Sequence, residues 1–547
     1  MRKNNRHMAA LAVLLVLALV SVSAGDSLLR DTAFGPVSGT TEGDALVWFS
    51  IPYGKAPVGE LRWKAPEDPE AWTEVYDASE RKPIAMQLSG GKITGTEDCL
   101  NLDIYTPQEG ENLPVLVYIH GGNNQTGHTR ELIGAEFAAR NDVVFVSLNY
   151  RLGLLGFNCL PALQADPEAT GNYALLDIAK ALDWIKDNIA SFGGDPENIT
   201  ISGFSAGGRD VMALLISPLF EGKFQKAISF SGGMTTADEP LSARKIAKAL
   251  APIAVEDGVA ETEEEAVEWL LQDTEEVRDY LYSLPAESLC SLMGNAGIRM
   301  SVFPHLYADG VSLPVEGFET ESYNSVPLIM LTGTTEFSMF ASGASNYAAP
   351  EMQALSVDEL AAVKAFAITY GSKMYQYFNA ESSAERMHSS YDAPIYLCSI
   401  NYGDPSSDYK VSPLGAFHGI FIPLLAVNNT YAGMHDFTNP VYSALADDFN
   451  QYLRNFLYTG DPNDEALSEW AEWEPETHLS LFIDGVDGEP YIESVSVTTS
   501  YDEIMDEMDA DTSLSDEAKL MAIRNVMNGR WFSAALDERY GNRDLWQ

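Results

Sequence analysis

The chain has 547 residues, of which 46% are hydrophobic and 10% are aromatic, so it can bury a large core and is not globally disordered. It carries 80 acidic and 33 basic residues, which give a formal net charge of −47. Nucleic acids and anionic lipid surfaces are bound through clustered Lys and Arg. The composition therefore argues against both as partners.

The N-terminus has the form of a secretory signal. Three basic residues within positions 1–6 precede an uninterrupted apolar run over 9–20, and small residues follow at 22–24. This pattern predicts a signal peptide over 1–24 and a mature chain over 25–547, although an uncleaved N-terminal anchor has a related pattern. No later stretch reaches the roughly 18 apolar residues of a membrane-spanning helix. We therefore expect a secreted or periplasmic protein without stable membrane insertion.

Cysteine and histidine do not form a metal or disulfide framework in the sequence. There is no Cys-x-x-Cys pair, and the eight His residues lack ligand spacing, so we expect neither a metal nor another cofactor. An exported protein could form up to two disulfides, and buried free thiols are an equally good interpretation. The cysteines concerned are Cys99, Cys159, Cys290 and Cys398.

Short apolar runs recur along the chain and predict buried strands. Unbroken apolar strands indicate burial on both faces, which is typical of a largely parallel sheet covered by helices. In chain order the runs cover residues 115–119, 143–148, 199–202, 227–230, 326–331, 395–400 and 479–483.

Helical patterns separate these strands. Over 174–189 the apolar residues recur at steps of three and four, which predicts a helix with one buried face. Between 238 and 322 the pattern changes, and a capping-box sequence at 262–265 precedes an apolar series. The order of strands and helices predicts a single α/β domain over 25–547, with a helical insertion over 238–322 above the active face.

The strongest chemical motif is Gly-Phe-Ser-Ala-Gly at 203–207. It follows a predicted strand and opens a predicted helix, which is the context of a nucleophile elbow. A plain Gly/Ser turn is the structural alternative. The context favours Ser205 as an exposed nucleophile.

A serine nucleophile requires a base and hydrogen-bond donors for the developing oxyanion. The sequence His-Gly-Gly-Asn at 120–123 follows the strand over 115–119, where such donors arise in this architecture. We expect the backbone N–H groups of Gly122, Asn123 and Ala206 to form the oxyanion hole. An ordinary Gly-Gly loop is the alternative.

Several longer segments resemble the type B carboxylesterase/lipase family. The segments at 49–63 and 97–102 are similar to its two signatures, and they are the most specific matches. Further matches are Asn-Tyr-Arg-Leu-Gly at 149–153, Phe-Gly-Gly-Asp-Pro at 192–196 and Thr-Gly-Asp-Pro-Asn at 459–463. Together they extend over most of the mature chain.

The resemblance implies an α/β-hydrolase fold, a Ser–Glu–His triad and no cofactor. The family's nucleophile motif falls on Ser205, and its His-Gly motif falls on His418, which stands in a Gly-flanked loop. A lone His is usually structural, so this assignment depends on the resemblance. The family's acid follows a Gly at the end of a buried strand, and Glu336 is the only acidic residue between Glu321 and Glu351.

The sequence departs from the family pattern at several positions. The residue before the nucleophile, often Glu in the family, is Phe204, so the pocket loses a charge. Asn123 replaces the third Gly of the oxyanion loop, and Gly333 is shifted relative to Glu336. The position of the family's disulfide partner for Cys99 is Met86, so we expect no bridge there. The segment between those two residues lacks Trp, which removes the choline-stacking platform of the cholinesterases.

Three functions remain compatible with this pattern. An exported serine carboxylesterase acting on small ester substrates is the leading hypothesis. A lipase acting on aggregated substrate is the second, and a non-catalytic binding or adhesion protein is the third. Members of the last class have typically lost the nucleophile, whereas Ser205, Glu336 and His418 are all present here.

Overall fold

The computed structural model describes residues 28–164, 169–294, 296–409, 412–431, 433 and 438–546. The predicted signal peptide over 1–24 lies outside the described residues. The strands are β1 Leu29–Thr32, β2 Gly35–Ser38, β3 Thr40–Glu42, β4 Ala45–Pro52, β5 Tyr76–Asp77, β6 Gln87–Ser89, β7 Lys92–Thr94, β8 Asn101–Pro107, β9 Leu113–Ile119, β10 Val144–Leu148, β11 Gly194–Phe204, β12 Lys226–Phe230, β13 Leu328–Gly333, β14 Ile395–Ile400, β15 Leu479–Val486 and β16 Glu489–Ser496.

The helices alternate with these strands and cover the sheet. They are α1 Gly134–Asn141, α2 Gly153–Gly156, α3 Tyr173–Asn188, α4 Ala206–Ile216, α5 Glu239–Glu256, α6 Glu263–Leu270, α7 Glu275–Ser283, α8 Ala286–Ser291, α9 Ser338–Ala341, α10 Pro350–Gln353, α11 Val357–Asn379, α12 Glu381–Met387, α13 Phe421–Leu425, α14 Pro440–Thr459, α15 Tyr501–Ala510, α16 Asp516–Ala522 and α17 Ala534–Arg539. Among the described residues, no helix combines the length and the apolar character that a membrane crossing requires.

An eleven-stranded sheet organises the fold, in the order β16-β15-β14-β13-β12-β11-β9-β10-β8-β4-β3. The strands from β15 to β10 in this order are parallel, whereas β16, β8, β4 and β3 pair antiparallel at the two sides. The strands β10, β12, β13 and β14 are buried along their whole length, and β9 is buried except at Leu113. This confirms the predicted mostly parallel sheet, because apolar residues at consecutive positions need cover on both faces.

The region over 238–322 contains the helices α5 to α8. The Thr262 side chain accepts a hydrogen bond from the Glu265 N–H, as a helix cap should. The predicted capping box is only half formed, because the Glu265 carboxylate binds the N–H of Glu261 instead of that of Thr262. Near its end this region contacts the loop after β9, where the Gln125 side chain binds the carbonyl of Gly294 and the N–H of Ala296.

Ion pairs involve residues from three of the family-like segments, 49–63, 97–102 and 149–153. Arg62 and Glu97 form two parallel hydrogen bonds of 2.7 and 2.8 Å between guanidinium and carboxylate. Arg151 pairs in the same way with the buried Asp177. Removing one partner of such a buried pair would leave an uncompensated charge, which costs about 3–5 kcal/mol. These motif residues therefore support the fold rather than the reaction.

All four cysteines are free thiols. Cys99, Cys159 and Cys398 are buried, and the partly buried Cys290 has a pKa raised by burial to about 11. Met86 and Cys99 line the same small cavity, as expected if Met86 occupies the position of a lost disulfide partner. Of the two interpretations left open by the sequence, the structure supports free thiols.

Candidate active site

Ser205 lies at the tight turn between β11 and α4, with φ 57° and ψ −115°. A non-glycine residue with this backbone is strained, and such strain is typical of a functional turn. A Cβ at Gly207 would collide with the carbonyl oxygen of Ile119, and one at Gly203 would collide with that of Gly207. The glycines of the motif are therefore required for the close approach of strand and helix, with the serine at the apex.

Glu336 and His418 meet at the same edge of the sheet, where the parallel strands end. Glu336 follows β13, and His418 lies in the segment between β14 and α13. One carboxylate oxygen of Glu336, Oε2, contacts Nδ1 of His418. The other oxygen, Oε1, accepts hydrogen bonds from the hydroxyls of Ser231 at 2.6 Å and Thr332 at 3.2 Å, and from the Gly333 N–H at 2.6 Å. These contacts fix the orientation of the carboxylate.

Aromatic rings enclose the imidazole of His418. The ring centroids of Phe204, Phe340 and Tyr375 lie 4.7, 5.1 and 5.3 Å from that of His418. Nε2 of His418 is buried and has no hydrogen-bond partner within the described part of the chain. Phe204 immediately precedes Ser205, and the Tyr375 hydroxyl interacts with Ser205. The structure thus brings Ser205, Glu336 and His418 together, with Nε2 of the imidazole unoccupied.

The other carboxylates considered for the acid position lie elsewhere. Asp404 accepts hydrogen bonds from the hydroxyls of Thr335 at 2.6 Å and Thr334 at 3.1 Å. Thr335 in turn pairs with the backbone of Ala416, so Asp404 supports the loop that leads to His418. Glu321 is exposed. Despite the shifted Gly333, Glu336 is the carboxylate that contacts His418.

The loop after β9 presents backbone donors near the serine. The N–H of Gly121 is already used, because it donates to Oε2 of Glu131 at 2.9 Å. The N–H groups of Gly122 and Asn123 donate to no group in the described ranges. Both residues have positive φ, 102° and 57°, a conformation that Gly and Asn adopt more readily than other residues. Replacing the family's third Gly by Asn123 is therefore compatible with the loop.

The third donor expected in the oxyanion hole is the N–H of Ala206, the first residue of α4. The first N–H groups of a helix have no partner within the helix, and the helix dipole makes this end favourable for negative charge. A chain of side chains connects α4 to the loop after β9. Tyr150 donates to the carbonyl of His120 at 2.9 Å, and Asn124 donates to Asp210 in α4 at 2.8 Å.

Sequence reasoning missed three residues that contact this site. Ser231, at the end of β12, binds Glu336, and its position at a strand end was the available signal. Glu131 holds the loop after β9 through the Gly121 N–H. Tyr375 lies within α11, where an aromatic residue is indistinguishable from ordinary core. Among the described residues, no group of three or more His, Cys, Asp and Glu side chains could hold a metal ion.

The parallel sheet and the strained serine turn at its strand ends define an α/β-hydrolase. The carboxylesterase family model matches residues 26–382, and the chain belongs to that family. It is a carboxylic ester hydrolase of the serine type. The matched residues include Ser205 and Glu336, whereas His418 lies beyond them.

Individual relatives extend the similarity to most of the chain. The para-nitrobenzyl esterase of Bacillus subtilis (strain 168) is 29% identical over 83% of this chain and 94% of its own. Carboxylesterase 1E of Mus musculus is 30% identical over 85% of this chain and 92% of its own. A solved structure of a PNB esterase superposes with a TM-score of 0.68 at 29% identity, covering 86% of this chain and 97% of that one.

Proposed function

We propose that this protein is an exported serine carboxylesterase that uses Ser205, Glu336 and His418 as a catalytic triad and forms an acyl-enzyme. The observation that carries the proposal is the contact between Nδ1 of His418 and Glu336 beside a serine in a strained turn. The chain order of nucleophile, acid and base is also that of α/β-hydrolases.

In the first step His418 acts as the general base. Its Nε2 accepts the proton of the Ser205 hydroxyl while Oγ forms a bond to the carbonyl carbon of the ester. The carbonyl oxygen becomes an oxyanion, which the N–H groups of Gly122, Asn123 and Ala206 stabilise. Removing one such donor typically costs a factor of about 10²–10³ in kcat.

In the second step the ester C–O bond breaks, and the alcohol leaves with the proton held on Nε2. Water then attacks the acyl-enzyme with His418 again as base, which releases the acid and restores Ser205. Glu336 keeps the imidazole in the tautomer with a proton on Nδ1 and stabilises the imidazolium that forms in each step.

The aromatic enclosure contributes to the same chemistry. Phe204, Phe340 and Tyr375 surround His418 with apolar surface, which lowers the local dielectric and strengthens the interaction between imidazolium and Glu336. Phe204 also places no negative charge beside the nucleophile. The substrates we expect are therefore small esters whose reacting part is not cationic.

Export is part of this proposal, supported by the basic, apolar and small-residue order of positions 1–24. Its test is N-terminal sequencing and intact mass of the protein recovered outside the cytoplasm of an expressing host. We expect a chain that begins at Gly25. Protein that accumulates outside the cytoplasm and still carries Met1 would contradict cleavage.

The catalytic assignment is tested with para-nitrophenyl butyrate. Ser205→Ala and His418→Ala should each lower kcat by about 10⁴-fold or more, because the triad acts as a unit. Ser291→Ala, at an exposed serine of α8, serves as the matched control and should leave kcat unchanged. Circular dichroism verifies that each variant is folded. A folded Ser205→Ala protein with turnover near that of the wild type would contradict the proposal.

A further inference from the structure

Arg209 is a buried cation one helical turn from the nucleophile. Its backbone N–H donates to the carbonyl of Ser205 at 3.0 Å, and its side chain is fully buried. Residues four apart on a helix lie on the same face, with Cβ atoms about 5–6 Å apart. The Arg209 side chain therefore begins next to the serine.

The partners of the Arg209 guanidinium are neutral. Nη1 binds Nε2 of His305 at 2.8 Å, Nη2 donates to the carbonyl of Thr235 at 3.0 Å, and the group lies 4.2 Å from the ring centroid of Trp531. His305 stays uncharged, because burial and Arg209 lower its pKa. Nε of Arg209 has no hydrogen-bond partner among the described residues.

The neighbouring acid offsets this charge only in part. Asp210 follows Arg209 directly, but its carboxylate is bound by Asn124, and burial raises its pKa to about 7. Burial also lowers the pKa of Arg209 to about 9, against the opposing effect of Asp210. Arg209 therefore remains largely protonated at neutral pH. A buried charge without an ionised partner in contact is unfavourable in free energy, and such a charge is usually compensated by a counter-ion.

A series of aromatic contacts connects Arg209 with the reacting groups. The Tyr375 ring stacks on His418 and on Phe532, with ring centroids 5.3 and 4.9 Å apart. Phe532 is adjacent to Trp531, over which Arg209 lies. Aromatic side chains that contact His418 therefore extend as far as Arg209.

One more buried donor, Nε1 of Trp531, lacks a partner within the described part of the chain. The hydroxyl of Tyr375, which interacts with Ser205, is a further buried donor beside the reacting groups. Burial raises the pKa of Tyr375 well above its ordinary value, so its hydroxyl keeps its proton and remains a donor. Buried donors are seldom left unsatisfied, because each costs about 1–3 kcal/mol. The unpartnered Nε of Arg209 and Nε1 of Trp531, which lies in the ring that the guanidinium covers, together indicate a ligand with acceptor atoms.

We propose that the site binds esters that carry a carboxylate at a distance from the scissile bond, and that Arg209, Tyr375 and Trp531 receive this carboxylate. The inference rests on the proposed esterase function and specifies its substrate class. A carboxylate supplies both the negative charge and the acceptor atoms that these donors need. Phe204 is consistent with the binding of such an ester, because a Glu at that position would repel an anionic substrate.

The acidic surface of the protein does not oppose this binding at close range. The net charge of −47 repels anions, but at physiological ionic strength the Debye length is only about 8 Å. Repulsion therefore acts mainly on the encounter rate. The contact with Arg209 forms in the interior, where water and salt screen it much less.

The test compares esters that differ only in one charged group. For a carboxylate in the acyl part, para-nitrophenyl hydrogen adipate is matched with para-nitrophenyl hexanoate. For a carboxylate in the alcohol part, para-carboxyphenyl hexanoate is matched with para-carbamoylphenyl hexanoate. We expect the wild-type enzyme to prefer the carboxylate member of one pair by about tenfold or more in kcat/KM, as one charge-assisted hydrogen bond would provide. The pair that shows the preference identifies the part of the ester that carries the carboxylate.

Variants of Arg209 test its role directly. In Arg209→Met the ratio of kcat/KM for the carboxylate ester to kcat/KM for its neutral partner should fall by about tenfold or more. Arg209→Lys should keep part of the preference, since it keeps the charge but loses the planar fork. Arg299→Met is the matched control, because the Arg299 guanidinium is satisfied by Asn528, Asn525 and Asn346, and it should leave the preference unchanged.

Preference for the neutral member of both pairs by the wild-type enzyme would overturn the proposal, and this result needs no variant to fold. An equal loss on charged and neutral esters in folded Arg209→Met would also overturn it, because it would assign Arg209 a purely structural role. In both cases turnover of the neutral esters would still support the proposed esterase function. Failure of the wild-type enzyme to hydrolyse any of the four esters would instead contradict that function.

Discussion

Replacing Glu336 by Gln keeps the size of the side chain and removes its charge. The position of the new NH₂ group follows from the contacts of the carboxylate. Three donors, from Ser231, Thr332 and Gly333, converge on Oε1, so the amide oxygen should occupy that position. The NH₂ group then faces Nδ1 of His418. Because NH₂ can only donate, Nδ1 must accept, and the proton of the neutral imidazole moves to Nε2.

This tautomer is the wrong one for catalysis, since Nε2 can no longer accept the proton of Ser205. A carboxylate-to-amide change of this kind lowers kcat by about 10⁴-fold, which corresponds to about 5 kcal/mol of transition-state stabilisation. The three hydrogen bonds to the amide oxygen survive, so the free energy of unfolding should change far less. KM should also change little, because Glu336 does not contact the substrate in this mechanism.

The assay is steady-state hydrolysis of para-nitrophenyl butyrate, with stability measured by urea denaturation. Asp404→Asn is the matched control, since Asp404 is a nearby carboxylate that contacts Thr334 and Thr335 but not His418. We expect its kcat to remain within about tenfold of wild type. A kcat of Glu336→Gln within about threefold of wild type would contradict this role of Glu336 and leave Asp404 and Glu321 as the next candidates.

Three further predictions follow from the site. Burial raises the pKa of Glu131 to about 7, so as pH rises from about 4.5 to 7 the free energy of unfolding should fall by at most about 3 kcal/mol. Glu131→Gln should remove this loss. A difference in denaturation midpoint between wild type and variant that is the same at pH 5 and pH 8 would contradict it. Gly207→Ala should lower the thermal midpoint and the activity together, because the added Cβ collides with the carbonyl of Ile119, and wild-type values would show that the turn can relax. Choline esters should be poorer substrates than their uncharged isosteres. Phe204 supplies no carboxylate, and the segment between Met86 and Cys99 has no Trp for a cation–π contact, which would contribute about 0.5–2 kcal/mol. The opposite order of kcat/KM would contradict this.

The central sheet was largely predictable, because burial on both faces leaves a signature at consecutive positions. The run over 115–119 corresponds to β9, Leu113–Ile119, and the run over 395–400 coincides with β14. Ser205 was predictable for a related reason: the motif, the strand before it and the helix after it are all local. His418 has no local signature and required the family resemblance.

The surroundings of the proposed triad could not be predicted in the same way. Tyr375 reaches His418 from the middle of α11, and Phe532 reaches Tyr375 from near the C-terminus. These contacts join segments far apart in the chain, and the residues involved have the composition of ordinary core. Arg209 did have a signal, because it and Asp210 are charged residues in a helix that is otherwise free of charge, but only the structure shows that the hydrogen-bond partners of its guanidinium are neutral.

The most direct test of the proposed mechanism, in which Ser205 is the nucleophile, is to identify the residue that a fluorophosphonate probe modifies. Wild-type protein is treated with the probe, digested and analysed by mass spectrometry, alongside Ser205→Ala. We predict a single stoichiometric adduct on Ser205, which is lost in the variant while circular dichroism shows an unchanged fold. An adduct on another residue, or undiminished labelling of the folded Ser205→Ala protein, would contradict it.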